Sequence, residues 1–287
     1  YMGANRKIIV EPGATLFVDG GTITNQCGAM WQGIELQGKS NESQYTSGAQ
    51  GQVILKNNAV IENAREGITT IANSEDMNLW DWNTTGGIIK AENSTFRNCR
   101  RAIQFLPYEN HHPSNPSWER PNLSYIKNCT FETTDNLASG EVPYAFITMY
   151  EVDGIRLMGN TFQNAFQYAD PFNLGDGIIS QDAKYYVTAV CNSGTFPCTS
   201  LDKNEFINLE YGIRATATSD MKPITVKNAV FDMCHYGVYA ATIDYGTFVD
   251  NEFIVSSWVD WRYKIPKYSY GLYLNQCNLF KTECNYF

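Results

Sequence analysis

Charge is what this sequence has least of. Asp, Glu, Lys and Arg make up only 18% of the 287 residues, against roughly a quarter in an ordinary soluble domain. Lys and Arg number 21 against 30 Asp and Glu, which leaves a net charge of −9. Sequence-independent nucleic-acid binding draws its affinity from cations that neutralise phosphates, so that class is excluded. A polyanionic polysaccharide would be repelled as well, unless a bound cation intervened. Long apolar runs are missing too. The longest clean one, Val142 to Tyr150, is about half of what a bilayer crossing needs, and no membrane insertion is expected. The Tyr1 end carries no signal-peptide pattern, so a mature or trimmed fragment is expected, with any targeting signal outside this stretch. There is no Gly-rich phosphate loop and no nucleophile elbow. Histidine occurs three times, His111 and His112 in a Pro-rich loop and His235 at a corner. No third ligand stands at metal-site spacing, so no bound transition metal is expected.

What the chain has in abundance is a phrase, Asn followed two or three residues later by Phe. It reads Asn93-Ser-Thr-Phe96, Asn128-Cys-Thr-Phe131, Asn160-Thr-Phe162, Asn204-Glu-Phe206, Asn228-Ala-Val-Phe231, Asn251-Glu-Phe253 and Asn285-Tyr-Phe287, with Asn58-Ala-Val-Ile61 as an aliphatic version. A unit that cannot bury its apolar face alone must bury it against the next copy, so such recurrence means stacked coils. The shortest spacings, 22 residues from Phe231 to Phe253 and 25 from Phe206 to Phe231, give the bare coil. Longer spacings carry loops. One repeating domain over 1–287 follows, since a solenoid grows by adding coils.

Each coil has the same internal order. An alternating strand comes first, as in Gly87-Ile-Ile-Lys-Ala or Gly154-Ile-Arg-Leu-Met; the Asn phrase turns the chain into a second strand; after a polar corner a third begins, as in Gly67-Ile-Thr-Thr-Ile, Gly212-Ile-Arg-Ala and Gly237-Val-Tyr-Ala. Period-two alternation points Ile, Val, Leu and Phe inward and Lys, Arg, Gln and Thr outward. Three short strands per coil predict an all-β prism with parallel sheets. The Asn positions should stack where an amide tolerates a left-handed corner and bonds to the next coil, and the Phe positions should form an internal ladder. An antiparallel sandwich also has many short strands, but not this fixed three-part order.

Eight cysteines are present, and two pairs lie close in sequence, Cys191 with Cys198 and Cys277 with Cys284. Neither has zinc-site spacing, and both are expected to be disulfides formed in an oxidising compartment. Cys99 and Cys129 fall beside the Asn of successive coils and are read as core thiols.

The repeat resembles the right-handed parallel β-helix of the pectin-lyase-like superfamily. More narrowly, Ile8-Ile-Val-Glu-Pro-Gly-Ala-Thr-Leu-Phe-Val-Asp-Gly-Gly-Thr-Ile, then Met30-Trp-Gln-Gly-Ile-Glu-Leu, Val60-Ile-Glu-Asn-Ala and Gly86-Gly-Ile-Ile-Lys-Ala look like β-helix segments of large Bacteroidetes-type surface proteins exported by type IX secretion. The resemblance implies a fragment of a larger secreted or cell-surface protein. It carries fold and location further than activity, since one solenoid hosts many functions. Enzymes of the superfamily cleave polysaccharides by hydrolysis with paired carboxylates or by metal-assisted β-elimination. The polygalacturonase phrases Asn-Thr-Asp, Gly-Asp-Asp and Gly-His-Gly are missing. Asp176, within Gly175-Asp-Gly177, and Asp182 are the candidate catalytic pair, against a turn Asp and a solvated strand-end Asp. A lyase would need an Arg base beside calcium-binding acids; Arg100, Arg101, Arg156 and Arg214 show no such cluster in sequence, so no cofactor is expected, with calcium confined to the lyase alternative.

Insertions supply the binding candidates. Stretches 37–52, 73–85 and 107–121 all follow the third strand of their coils, so they should emerge along one edge. Two are aromatic: Trp80 and Trp82 in one, Tyr108 and Trp118 in the other with Arg120. Exposed rings there can stack on sugars or anchor a partner; alternatively they fold back onto the flank. Trp31 is read as packing, and Trp258 and Trp261 as another such loop pair. The sequons at Asn41, Asn83, Asn93, Asn122 and Asn128 are by-products of composition in a bacterial protein. The expected function is a non-catalytic extracellular module that binds glycans or surface proteins through its loop edge; the alternative is a polysaccharide lyase or glycoside hydrolase. The repeat phrase at Phe287 further leads us to expect neighbouring domains or a second copy over that end.

Overall fold

The computed structural model describes residues 1–287 except 27, 168, 171–172, 196, 219–221, 256–257 and 261–264, and only the backbone of 258–260 and 265–267. Trp261 and the Trp258 side chain therefore lie outside the described residues. The chain winds as a right-handed parallel β-helix with three strands per coil. Sheet A stacks nine strands, among them Gln52–Lys56, Ile88–Glu92, Asp153–Met158 and Lys184–Thr188. Sheet B stacks eight, including Thr95–Arg97, Thr130–Thr133, Thr161–Asn164 and Asn204–Ile207. Sheet C stacks nine, including Trp31–Leu36, Ala64–Thr69, Arg101–Phe105, Asp176–Gln181 and Tyr236–Ala241. All pairings within these three sheets are parallel, as in Phe131 opposite Phe162 and Phe162 opposite Phe206.

Alternation explains the core. In Gln52–Lys56 the buried residues are Val53 and Leu55, and Gln52, Ile54 and Lys56 face outward. The ladder of rings runs through Phe96, Phe131, Phe162, Phe206, Phe231, Phe253 and Phe287, with successive centroids 4.7 to 5.0 Å apart and planes within about 11°. That spacing is the distance between neighbouring strands, so each ring covers the next. The ladder also dictates the glycines that open the third strands: a Cβ on Gly212 would lie 2.6 Å from both the Gly237 carbonyl oxygen and the Phe231 ring.

The recurring Asn turns out to serve two roles. Where it stands three before the Phe, at Asn93, Asn128 and Asn228, it takes the left-handed corner with φ of 47°, 51° and 54°. Where it stands two before, at Asn160, Asn204, Asn251 and Asn285, its amide bonds between coils. In three of those coils, before Asn160, Asn251 and Asn285, the left-handed corner falls to Gly159, Asp250 and Cys284.

One of the two expected disulfides is formed, between Cys191 and Cys198, where it closes the hairpin of Val190–Cys191 with Leu201–Asp202. The other is not: Cys277 and Cys284 are free thiols. Cys277 follows the strand Tyr270–Asn275 at the register of Ile243 and packs against the core, its thiol directed at the Ala240 and Asn275 carbonyls. Cys284 occupies a left-handed corner one strand later and is exposed. The strand Lys281–Glu283 separates them, so the repeat register, rather than closeness in sequence, sets where each thiol points. Cys99 and Cys129 are buried thiols, as their register implied. Among the described residues no helix is long and apolar enough to cross a membrane.

Candidate functional site

The three insertions do leave from one corner, between sheets C and A, and buried amides knit them together. Gln44 donates its side-chain nitrogen to Gly86 O at 3.1 Å and Asn122 Oδ1 at 3.2 Å, and its own Oε1 accepts from Leu123 N at 2.8 Å. Asn110 Oδ1 accepts from Gln44 N at 2.9 Å. Tyr108 is one of the anchors of this layer. Its ring is only 5% exposed and its hydroxyl donates to Glu42 O at 2.8 Å, so the residue expected on the binding face packs beneath it. Buried hydroxyl and amide groups need such partners, which is why the inward-turned ring carries its polar tip to a carbonyl.

The remaining aromatics divide between two faces. Residues 70–87 fold over the outer face of sheet C, where Asp76 and Asp81 cap two single 3₁₀ turns, Met77–Leu79 and Trp82–Thr84. Trp80, between the turns, is half-buried and donates Nε1 to Ser74 O at 3.2 Å; Trp82 stands edge-on to it at 5.4 Å and is 48% exposed. Residues 106–124 fold the other way, over sheet A, with Trp118 59% exposed beside His112 and with Arg120 near the base of the hairpin. The sequence thus names residues of two surfaces, not one.

The sheet C surface is a trough of about 320 Å³ between the Trp80 segment and the segment carrying Glu141. Its floor is Glu66 and Arg101, paired across neighbouring strands, with Arg65, Arg100 and Gln104 around them. Arg100 contacts Glu66 Oε1 and Glu141 Oε2 at 3.2 Å each; Arg101 Nε lies 3.3 Å from Glu66 Oε2; Arg65 binds Glu141. Tyr144 sits under both Arg100 and Arg101, with guanidinium carbons 5.4 and 5.0 Å from its ring centre. Burial pushes the Glu66 carboxyl above the usual carboxylate range, against the pull of the three arginines. The buried atoms Glu66 Oε2 and Arg101 Nε lack an aligned hydrogen-bond partner, which leaves polar capacity open at the floor. At one end Lys7 ties Glu75 to Glu35.

Comparison of the chain with protein-family models, curated proteins and solved structures returns no match. The site is therefore read from its own chemistry.

Asp176 and Asp182 do not converge. Asp176 opens the strand Asp176–Gln181 and Asp182 is the corner just beyond its far end, about 20 Å away at the rise of a β-strand. Asp176 is buried and holds Arg214 at 2.9 Å; Asp182 takes a left-handed corner and accepts from Thr218 N and Oγ1 at 2.6 Å. Arg100 and Arg101, which have no acid cluster in the sequence, acquire one in space from Glu66 and Glu141. The missed signal was register: aligning the third strands on their Ile positions sets Glu66 against Arg101. Glu141 had no such signal, because it arrives from an irregular segment after the second strand of its coil. Among the described residues no group of three or more His, Cys, Asp or Glu is placed to hold a metal ion.

Proposed function

We propose that the chain is a non-catalytic extracellular β-helix module, part of a secreted or cell-surface protein of the Bacteroidetes type exported by type IX secretion, that binds glycans in the sheet C trough. The observation that carries this reading is the company of planar polar groups and an indole in one concavity: Arg65, Arg101, Glu66 and Gln104 beside Trp80. Forked donors and acceptors match the vicinal hydroxyls of a pyranose, and an aromatic face covers its C–H side. Both oxygens of Glu141 and both of Glu66 face guanidiniums, so neither carboxylate stands free as a nucleophile or base. The Cys191–Cys198 disulfide and the low charge of the chain support an oxidising, extracellular setting. Loop residues Trp82 and Trp118 extend the adhesive surface towards glycans or surface proteins.

One observation favours the second reading, a polysaccharide hydrolase or lyase. Burial holds the Glu66 carboxyl above the usual carboxylate range, as a general acid requires, in a trough lined also by Glu75 and Glu141. A glycan-array screen run with reducing-end and unsaturated-product assays separates the two. Binding without turnover, weakened by Trp80→Ala and Arg101→Gln, is the expected result. Turnover that disappears in Glu66→Gln would overturn the non-catalytic reading.

A further inference from the structure

The third insertion roofs a different and larger concavity, a groove of about 610 Å³ over the outer face of sheet A. Its floor is Met158, Tyr186 and Thr188; its wall is the hairpin base, Glu119 to Pro121. Tyr186 is 36% exposed, enough to present a ring to a ligand. The charges around it are unevenly matched. Lys222 binds both Asp153, at 2.9 Å, and Glu109, so one cation serves two acids. Arg120, Arg156 and Lys184 line the groove and form no ion pair among the described residues; Arg156 lies over the Tyr125 ring at 5.7 Å, and Lys184 stands opposite Asp153 on the neighbouring strand without contacting it as an ion pair. Glu119 is the one lining acid without a cation partner among the described residues. Three cations and three carboxylates line the groove, but two of the acids share Lys222 from outside the lining, which leaves Arg120, Arg156 and Lys184 as positive charge without an ion pair among the described residues, in a chain of net charge −9. Charge of this sign, left unpaired beside an aromatic floor and drawn from three separate segments, is what an anionic ligand would neutralise.

We propose that this groove is a second binding site, for a pyranoside esterified with a tetrahedral oxyanion, sulfate or phosphate, whose ring lies on Tyr186 and whose ester group is held by Arg120, Arg156 and Lys184. A tetrahedral ester offers three terminal oxygens, one for each of the three unpaired cations. A neutral sugar would leave those cations as they are, and gains nothing from them. The site is independent of the sheet C trough, which faces another side of the prism and shares no lining residue with it.

The test is titration calorimetry of the intact chain with glucose 6-sulfate, glucose 6-phosphate and unmodified glucose, at low salt and in about 0.5 M salt, where the Debye length falls to roughly 4 Å and exposed charges are screened. One esterified sugar should bind at least about tenfold tighter than glucose, and weaken as salt rises. Whichever ester binds tighter assigns the group. Arg120→Gln and Lys184→Gln, both surface changes, should each weaken that binding about fivefold or more. Glu119→Gln should hold or strengthen it, and Arg101→Gln in the trough should leave it unchanged. Equal affinity for glucose and both esters, no binding at millimolar ligand, or indifference to Arg120→Gln and Lys184→Gln would overturn the proposal, whatever becomes of the trough.

Discussion

Asn204 accepts two hydrogen bonds from Asn160 through one oxygen: its Oδ1 lies 3.0 Å from the Asn160 backbone nitrogen and 3.1 Å from the Asn160 side-chain nitrogen. Its own amide nitrogen donates to Thr188 O at 2.7 Å. Both side chains are fully buried, so water cannot replace any of these partners. Asn204→Ala should therefore cost about 2–4 kcal/mol, because donors and an acceptor are left unpaired rather than merely unbonded. Asn93→Gly, at a left-handed corner with φ of 47°, should change stability by less than about 1 kcal/mol. Urea denaturation of the two variants checks the contrast; equal losses would mean that the two kinds of Asn are not distinct.

The ring ladder predicts a steeper loss. Phe162 is fully buried between Phe131 and Phe206, each 4.7 Å away. Phe162→Ala removes a layer that the strands above and below cannot close, and should cost about 3–5 kcal/mol. Phe162→Leu keeps most of the volume and loses the stack, for about 1–2 kcal/mol. Calorimetric melting should rank wild type above Leu above Ala.

The architecture was legible because a solenoid repeats its instructions: Phe131 and Phe162 announce the same layer twice, and Gly212 and Gly237 announce the space that each ring needs. What one phrase concealed was the shift by one residue that turns Asn128 into a corner and Asn160 into a core amide. The loop edge was legible from where insertions interrupt the repeat, yet Tyr108 and Trp118 read alike although one is buried and the other exposed. Inside an irregular segment no periodicity tells in from out. The trough was the hardest part to read. Glu66, Trp80, Arg101 and Glu141 come from separate coils and loops, and only the pairing of strands brings them together. The outward column Tyr211, Tyr236 and Tyr270, with rings 4.7 and 4.9 Å apart, shows the same thing on a plain strand: stacking between coils is invisible until the register is known.

Thiol chemistry checks the corrected cysteine pairing. Burial pushes Cys99, Cys129 and Cys234 up to about 12, so none should react with a maleimide in the folded protein at pH 7. Cys284 is exposed and should be labelled within the first exposure, ahead of the half-buried Cys277. Peptide mapping by mass spectrometry should recover Cys191 linked to Cys198. A recovered Cys277–Cys284 peptide would contradict the register described above.

Asp176 gives the fold a pH dependence of definite sign. Burial lifts its carboxyl to about 7, in spite of Arg214 beside it and with Glu210 adding to the rise. Between its ordinary value near 4 and that raised value, the folded chain holds a proton that the unfolded chain has released. The contribution to stability is thus whole below about pH 4 and is lost as pH rises to about 7, by up to about 4 kcal/mol. Asp176→Asn cannot titrate. The difference in denaturation midpoint between variant and wild type should therefore grow in the variant's favour from pH 4 to pH 7 and level off above it. A constant difference would show that the carboxylate is ionised throughout.

The loop layer can be tested apart from either concavity through Tyr108. Its hydroxyl reaches Glu42 O, and its ring lies under Gly86, where an added Cβ would stand 2.7 Å from the ring. Gly86 also has φ of 101°, a conformation that side chains resist. Tyr108→Phe removes one buried hydrogen bond and keeps the packing, so about 1–1.5 kcal/mol should be lost. Tyr108→Ala empties the space beneath the loops and should cost about 3–5 kcal/mol. Gly86→Ala drives a methyl into the same ring and should loosen the layer even though nothing is deleted. The readout that separates loop loosening from global unfolding is limited proteolysis between Pro113 and Trp118 under native conditions. Cleavage should accelerate in the order Phe, then Gly86→Ala, then Tyr108→Ala, while the coil core stays intact. If Tyr108→Ala left cleavage at the wild-type rate, the ring would not be what holds the insertions to the prism.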